Sequence, residues 1–181
     1  MKASVEVFSG KAASYVKYRG GYAEGLLDFL AVNCGLSADS IVADLGSGTG
    51  TLTKVLLDNK NSVYAIEPNA SMRETAERLL SSYNGFNSID STAEATTLPD
   101  ASVDFVTAGR ALQWFDAQAA LKEVSRILRP TGCAVFIWNQ RKKPATPLLQ
   151  AYREFLHVYC PDFDSVAQRR REARQLLCRS G

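Results

Sequence analysis

One segment limits the possible folds of this chain more than any other: a short apolar run that leads directly into a glycine-rich turn. Ile41 to Leu45 reads IVADL and is typical of a buried strand. The turn that follows is Gly46-Ser47-Gly48-Thr49-Gly50. Apolar residues then recur at helical spacing, namely Leu52, Val55, Leu56 and Leu57. A strand, a glycine turn and a helix in this order predict a parallel sheet whose strand ends face a ligand.

The alternation of strand and helix continues along the chain. The other predicted strands are Ser62–Ile66, Phe86–Ile89, Val103–Ala108 and Cys133–Trp138. The other predicted helices are Ala23–Val32, which ends near Gly35, Asn69–Ser82, Ala117–Leu128, Leu148–Tyr159 and Ser165–Leu177. Strands separated by helices imply right-handed crossovers. We therefore expect an α/β fold, with a parallel sheet of about five strands and helices on both faces.

Two helices carry apolar residues at amphipathic spacing. In the first helix these residues are Leu26, Leu27, Phe29 and Leu30. In the helix after the second strand they are Met72, Ala76, Leu79 and Leu80. The first set suits an amphipathic helix, and we expect the second set to lie on the inner face of its helix.

The length of 181 residues suits one α/β domain. We divide it into an N-terminal helical cap at 1–39, a ligand-binding core at 40–139 and C-terminal helices at 140–181. The net charge of +2 is too small to indicate nucleic-acid binding. The one basic cluster is interpreted as a solvated helix face and consists of Arg169, Arg170, Arg171, Arg174 and Arg179.

The four cysteines lack the spacing of a metal site or a disulfide framework. The N-terminus has no continuous apolar core of a signal peptide, and no stretch approaches the ~20 apolar residues that cross a bilayer. We expect a cytoplasmic protein without a metal, a membrane anchor or a nucleic-acid partner. The oligomeric state does not follow from the sequence.

The glycine turn and the acid that follows it distinguish two classes of nucleotide-binding protein. A nicotinamide-binding G-x-G-x-x-G turn would need a third glycine at position 51, where this chain has Thr51. The turn here is G-x-G-x-G, with Asp44 two positions before it. Glu67, at the end of the second strand, is placed to accept hydrogen bonds from both hydroxyls of a ribose. For the glycines, the alternative is a tight turn that binds no ligand. For Glu67, the alternative is a carboxylate that interacts with the dipole at the start of a helix.

Four segments in order resemble the class I S-adenosylmethionine (SAM) dependent methyltransferases, and in particular the small-molecule type 11 methyltransferase domains. They are DLGSGTG at 44–50, IEPNASM at 66–72, STAEATTLPDASVDFV at 91–106 and RILRPTGCAVF at 126–136. The resemblance implies a Rossmann-like class I methyltransferase fold that binds SAM. It also implies an antiparallel C-terminal hairpin, and we expect the chain to end before that hairpin.

The resemblance further implies which residues hold SAM. Asp44 and the backbone of Gly46, Ser47 and Gly48 would hold its methionine portion, and Glu67 would hold its ribose. Met72 would pack on the adenine, although core filling explains a methionine equally well. The edge of the adenine would be lined by Thr92, Ala93 and Glu94. Family members often have an acidic side chain where Thr92 stands, so backbone groups or Glu94 would recognise the adenine here.

Near the N-terminus, Tyr15, Tyr18 and Arg19 resemble an element that closes over SAM, with a cation that meets the cofactor carboxylate. Related sequences read Arg-Pro after this tyrosine, whereas this one reads Arg19-Gly20-Gly21. The implied adenosine contacts and this closing element together define the predicted cofactor site.

Methyl transfer depends mainly on in-line positioning, so no catalytic triad is required. Candidate catalytic groups are His157 and Gln113, and Trp114 is a pocket candidate. Asp116 is expected to cap the following helix. We thus expect a SAM-dependent methyltransferase that acts on a small-molecule acceptor. The alternatives are a catalytically impaired or regulatory SAM-binding domain and, less favoured, an NAD(P)-dependent oxidoreductase.

Overall fold

The computed structural model describes residues 20–139, 146–160, 168 and 171–172. They belong to two units, one that ends at Ile137 and one that begins at Trp138. The strands are β1 (Ile41–Leu45), β2 (Ser62–Ile66), β3 (Phe86–Ile89), β4 (Val103–Gly109) and β5 (Leu128–Ile137). The helices are α1 (Leu26–Cys34), α2 (Thr51–Asp58), α3 (Ala70–Leu80), α4 (Ala117–Ile127) and α5 (Pro147–Tyr159), with a 3₁₀ turn at Leu112–Trp114. The division of the chain at residues 39/40 and 139/140 stays a prediction.

The five strands form one sheet in the order β3-β2-β1-β4-β5, and every pair of named strands is parallel. The predicted Rossmann-like sheet is therefore confirmed. The strand order reverses between β1 and β4: the chain continues from β1 to β2 and β3 on one side of the sheet, and from β4 to β5 on the other. The carboxyl ends of these two strands lie side by side, because Asp44 is in register with Thr107. None of the helices in the described part of the chain is long and apolar enough to cross a membrane.

Alternate residues of β1 belong to different cores, because successive side chains of a strand point to opposite faces of the sheet. Val42 packs in one buried cluster with Leu30, Leu56 and Leu80, which come from α1, α2 and α3. Ala43 and Leu45 pack in the other cluster with residues of α4. The helices thus cover both faces of the sheet, as predicted.

Two of the apolar residues at amphipathic spacing are exposed, and one of them, Leu79, was predicted to face inward. Phe29 of α1 is 59% exposed and Leu79 of α3 is 50% exposed. In α1 only Leu30 is fully buried. In the last turn of α3 the place beside Gly50 is taken by Leu80, which leaves Leu79 outside. Spacing identified both helices but not every residue of their buried faces.

Strand β5 begins five residues earlier than predicted, at Leu128 instead of Cys133. Val103 pairs with Leu128, and Phe105 pairs with Cys133. Four residues on β5, 129–132, therefore lie opposite a single residue of β4, and they include Pro130 and Gly132. Proline and glycine favour such irregular places in strands. This irregularity hides the start of the strand from a periodicity argument.

Candidate functional site

The glycine turn between β1 and α2 is packed on one side and open on the other. Gly46 and Gly48 both have positive φ, 63° and 59°, which glycine adopts at little cost. A Cβ on Gly46 would lie 2.8 Å from the Cβ of Ala111 and 3.1 Å from the ring of Phe115. A Cβ on Gly48 would have no heavy atom within 4 Å. The turn is therefore anchored at Gly46 and presents bare backbone to open space at Gly48.

Glu67 joins the end of β2 to this turn. One carboxylate oxygen accepts the N–H of Gly48 at 2.8 Å, and the other accepts the N–H of Asn69 at 2.8 Å. Burial raises the pKa of Glu67 above its usual value, while these two N–H groups and nearby Arg73 oppose the rise. Each carboxylate oxygen has two lone pairs, so both can still accept a hydroxyl. The structure thus brings together the glycine turn and the predicted ribose acid.

Asp44 lies on the other side of the turn and is 1% exposed. Its carboxylate accepts the hydroxyls of Thr53 at 2.7 Å and Thr107 at 3.0 Å. Burial raises its pKa to about 6, with a further rise from Glu67, although the two hydroxyl bonds act in the opposite direction. Asp44 therefore ties β1 to α2 and β4 while it also lines the cleft.

A small cleft lies at the carboxyl ends of β1 and β4. Its lining is formed by Tyr22, Asp44, Gly46, Ser47, Gly48, Thr51, Leu52, Gly109 and Arg110. The volume of the cleft is about 20 Å³. A ligand of nucleoside size would therefore have to extend beyond this cleft.

Arg110 and Tyr22 are cleft residues that the sequence analysis did not identify. The guanidinium carbon of Arg110 lies 4.7 Å from the centroid of the Tyr22 ring, and the Tyr22 hydroxyl lies over Gly109. Arg110 directly follows β4, and it has a positive φ of 60°. The only sequence signal for Arg110 is that it directly follows a predicted strand. This position indicates a ligand site only once β4 is known to lie beside β1.

The residues predicted for the adenine are not among those that line the small cleft. Met72 is 3% exposed, and its N–H donates to the side chain of Asn69, whose own N–H binds Glu67. Ala93 is buried in a core cluster, and Thr92 is half-buried. The Glu94 carboxylate accepts the N–H of Asp116 at 2.8 Å. Of this group, Met72 is linked to Glu67, and Glu94 holds the start of α4.

The remaining candidates differ in their surroundings. Gln113 is 6% exposed and donates to the carbonyl of Arg110 at 2.7 Å, so it supports the turn after β4. Asp116 caps α4 by accepting the N–H of Ala119, which confirms that prediction. His157 lies on α5 and is exposed there. Tyr15, Tyr18 and Arg19 lie outside the described residues.

Within the described ranges, no three metal-binding side chains come together. The cysteines described there, Cys34, Cys133 and Cys160, are free thiols. Of the basic C-terminal cluster only Arg171 is described, and it is exposed.

Comparison with known proteins now gives the family. The model of the type 11 "Methyltransferase domain" family matches residues 43–136, just over half of the chain. An uncharacterized methyltransferase of Mycobacterium tuberculosis is 34% identical over 162 residues, 90% of this chain and 62% of that protein. A ubiquinone/menaquinone biosynthesis C-methyltransferase of Hahella chejuensis is 30% identical over 154 residues, 81% of this chain and 61% of that protein.

Among solved structures, a SAM-dependent methyltransferase of Aquifex aeolicus is similar with a TM-score of 0.59. It is 22% identical, and the match covers 81% of this chain and 86% of that one. An identity this low concerns the fold alone. The chain spans about 62% of the length of the Mycobacterium relative. From the match to the family model, this chain belongs to the type 11 methyltransferase domain family.

Proposed function

We propose that the chain is a SAM-dependent methyltransferase that methylates a small molecule. The observation that carries the proposal is the contact between the Glu67 carboxylate and the N–H of Gly48. It places a buried acid next to a backbone turn that is open at Gly48. An adenosine ligand needs an acidic side chain that can bind its ribose hydroxyls and a glycine turn with accessible backbone, on neighbouring strand ends.

The surroundings of the turn fit SAM. Gly48 leaves room beside the backbone where any side chain would intrude, and Glu67 has lone pairs left for ribose hydroxyls. Asp44 and the turn would hold the methionine portion, and Met72 would support the adenine side through Asn69. When bound, SAM supplies a methyl group on a positively charged sulfur. The role of the chain is then to hold cofactor and acceptor in line and to exclude water.

The family and the name of the Hahella relative support methyl transfer to a small molecule. Gln113 has no titratable proton and is engaged with Arg110, so we propose that it positions the turn after β4. His157 stays a candidate for removing a proton from the acceptor.

The proposal is tested by calorimetric titration of the chain with S-adenosylhomocysteine and, separately, with NAD. We expect binding of the homocysteine nucleoside and no measurable binding of NAD. Release of the labelled methyl group from SAM to an added acceptor would separate an enzyme from a SAM sensor. Binding of NAD alone would overturn the proposal and favour an oxidoreductase.

Glu67 can be tested separately from the rest of the turn. Glu67→Gln should weaken the binding of S-adenosylhomocysteine about tenfold or more, because a hydrogen bond to a charged group contributes about 1.5–3 kcal/mol. The loss should disappear for an analogue that lacks both ribose hydroxyls. The matched control is Glu74→Gln on the exposed side of α3, which should bind like the wild type. Equal losses for both ligands would mean that Glu67 only shapes the turn.

A further inference from the structure

The turn after β4 places a strained arginine at the cleft. Arg110 lines the cleft beside the glycine turn, and its φ of 60° is unusual for a residue with a long side chain. Strained backbone of this kind clusters at ligand sites, where the surrounding structure holds it. We propose that Arg110, held under Tyr22, is a carboxylate-binding residue of the cleft. The proposal rests on the SAM-binding function proposed above.

The guanidinium has an unused donor inside the protein. One terminal nitrogen of Arg110 donates to the carbonyl of Gly20 at 3.0 Å. Its Nε is buried and has no hydrogen-bond partner among the described residues. A buried donor on a charged group that lacks a partner is costly. A carboxylate removes this cost, because guanidinium and carboxylate pair through two parallel hydrogen bonds.

The charge around Arg110 also differs from that around other half-buried arginines. Arg73, Arg126 and Arg129 each have a carboxylate oxygen within 3 Å. Arg110 forms no ion pair with any residue in the described part of the chain. Asp44, the acid in the same cleft, accepts the hydroxyls of Thr53 and Thr107 and forms no ion pair with Arg110. The cleft therefore contains a cation whose negative partner is not supplied by the described protein.

The ligand chemistry is thus an organic carboxylate. Two sources can provide it: the amino-acid end of the cofactor, which the neighbouring glycine turn would hold, or a carboxylate on the acceptor. Tyr22 keeps the cation in place in either case, because its ring lies over the guanidinium and its hydroxyl over Gly109.

The test follows the Nε–H signal of Arg110 by NMR in protein labelled with ¹⁵N-arginine. The signal is assigned by its absence in Arg110→Gln. The probes are S-adenosylhomocysteine, 5′-methylthioadenosine, which lacks the amino acid, and citrate added to protein saturated with S-adenosylhomocysteine. Calorimetry with the same probes compares the wild type, Arg110→Gln and the control Arg78→Gln, an exposed arginine of α3.

A cofactor carboxylate predicts that S-adenosylhomocysteine shifts the Arg110 signal and methylthioadenosine does not. Arg110→Gln should then weaken the homocysteine nucleoside about tenfold or more and leave methylthioadenosine within twofold. An acceptor carboxylate predicts a shift with citrate only. If neither carboxylate moves the signal and Arg110→Gln binds like Arg78→Gln, the proposal is wrong. If the wild type binds neither nucleoside, the proposed function fails as well.

Discussion

Glu67 and Glu123 are almost equally buried, yet their surroundings shift their pKa values in opposite directions. The two residues are 9% and 8% exposed. Burial raises the pKa of Glu67, whose carboxylate receives two backbone N–H groups. Contact with Arg126 and with Thr96 lowers the pKa of Glu123 to about 2. The opposite shifts have two causes, because the Glu67 carboxylate loses more of its solvent and the Glu123 carboxylate is paired with the guanidinium of Arg126.

The two acids belong to clusters of different kinds. Around Glu123, the backbone and hydroxyl of Thr96 and the guanidinium of Arg126 all donate to the carboxylate, and Arg126 also contacts Asp100. We call these four residues the Glu123 cluster. At the glycine turn, Asp44 and Glu67 have raised pKa values, and the Nε of Arg110, which lines the neighbouring cleft, lacks a partner within the described structure. A cluster with every group paired stabilises the fold, whereas carboxyl groups with raised pKa values beside an unpaired donor are typical of a binding site.

The largest expected effect tests whether the cleft is packed at Gly46 and open at Gly48. Gly46→Ala should lower the free energy of unfolding by about 2–5 kcal/mol, from the positive φ and the collision with Ala111 and Phe115. Gly48→Ala has the same backbone strain without the collision, so about 1–2 kcal/mol is expected. Urea denaturation measures both. Equal losses would contradict the open face at Gly48.

The frame of this cleft could be predicted from the sequence because its signals are local. Strands β1, β2 and β3 have the predicted ends, and the glycine turn lies between a strand and a helix as expected. Arg110 could not be found in this way. Its importance depends on β4 lying beside β1, and Asp44 and Thr107 are 63 residues apart in the chain. The same holds for Glu123 and Thr96, which are 27 residues apart. The assigned roles of the cofactor residues stay predictions.

The second test concerns the raised pKa of Asp44. An aspartate has a pKa near 3.8 when unfolded and about 6 here, so the folded state binds more protons between these values. The contribution of Asp44 is therefore present at low pH and is lost as the pH rises from about 4 to about 6. Relative to Asp44→Asn, which does not titrate, the wild type should lose about 3 kcal/mol over this range. Denaturation curves at several pH values measure the difference. Parallel pH profiles of the two proteins would show that Asp44 titrates normally.

The third test concerns the lowered pKa of Glu123, which gives a pH dependence of stability opposite to that of Asp44. The pKa of Glu123 falls from 4.5 to about 2, so its contribution is present above pH 4.5 and is lost as the pH falls towards 2. Glu123→Gln should cost about 1–2 kcal/mol at neutral pH, a figure reduced for the solvent around Arg126 and Asp100. The exposed variant Glu74→Gln serves as the control. A deficit that persists unchanged at pH 2 would refute the assignment.

The smallest expected effect concerns Glu94, and it decides whether this residue stabilises the fold or belongs to the binding site. Glu94 was predicted at the adenine edge, but one of its carboxylate oxygens accepts the N–H of Asp116, the residue that caps α4. That hydrogen bond joins two parts of the protein at its solvent-exposed surface. We therefore expect Glu94→Ala to lower the free energy of unfolding by about 0.5–1 kcal/mol. The affinity for 5′-methylthioadenosine should stay within twofold of the wild type. Asp116→Ala is the matched variant, since it removes the cap at the other end of the same contact and should cost about 1 kcal/mol. If Glu94→Ala binds the nucleoside more weakly and Asp116→Ala does not, Glu94 belongs to the ligand site instead. Its hydrogen bond to the N–H of Asp116 would then orient the Glu94 side chain towards the adenine.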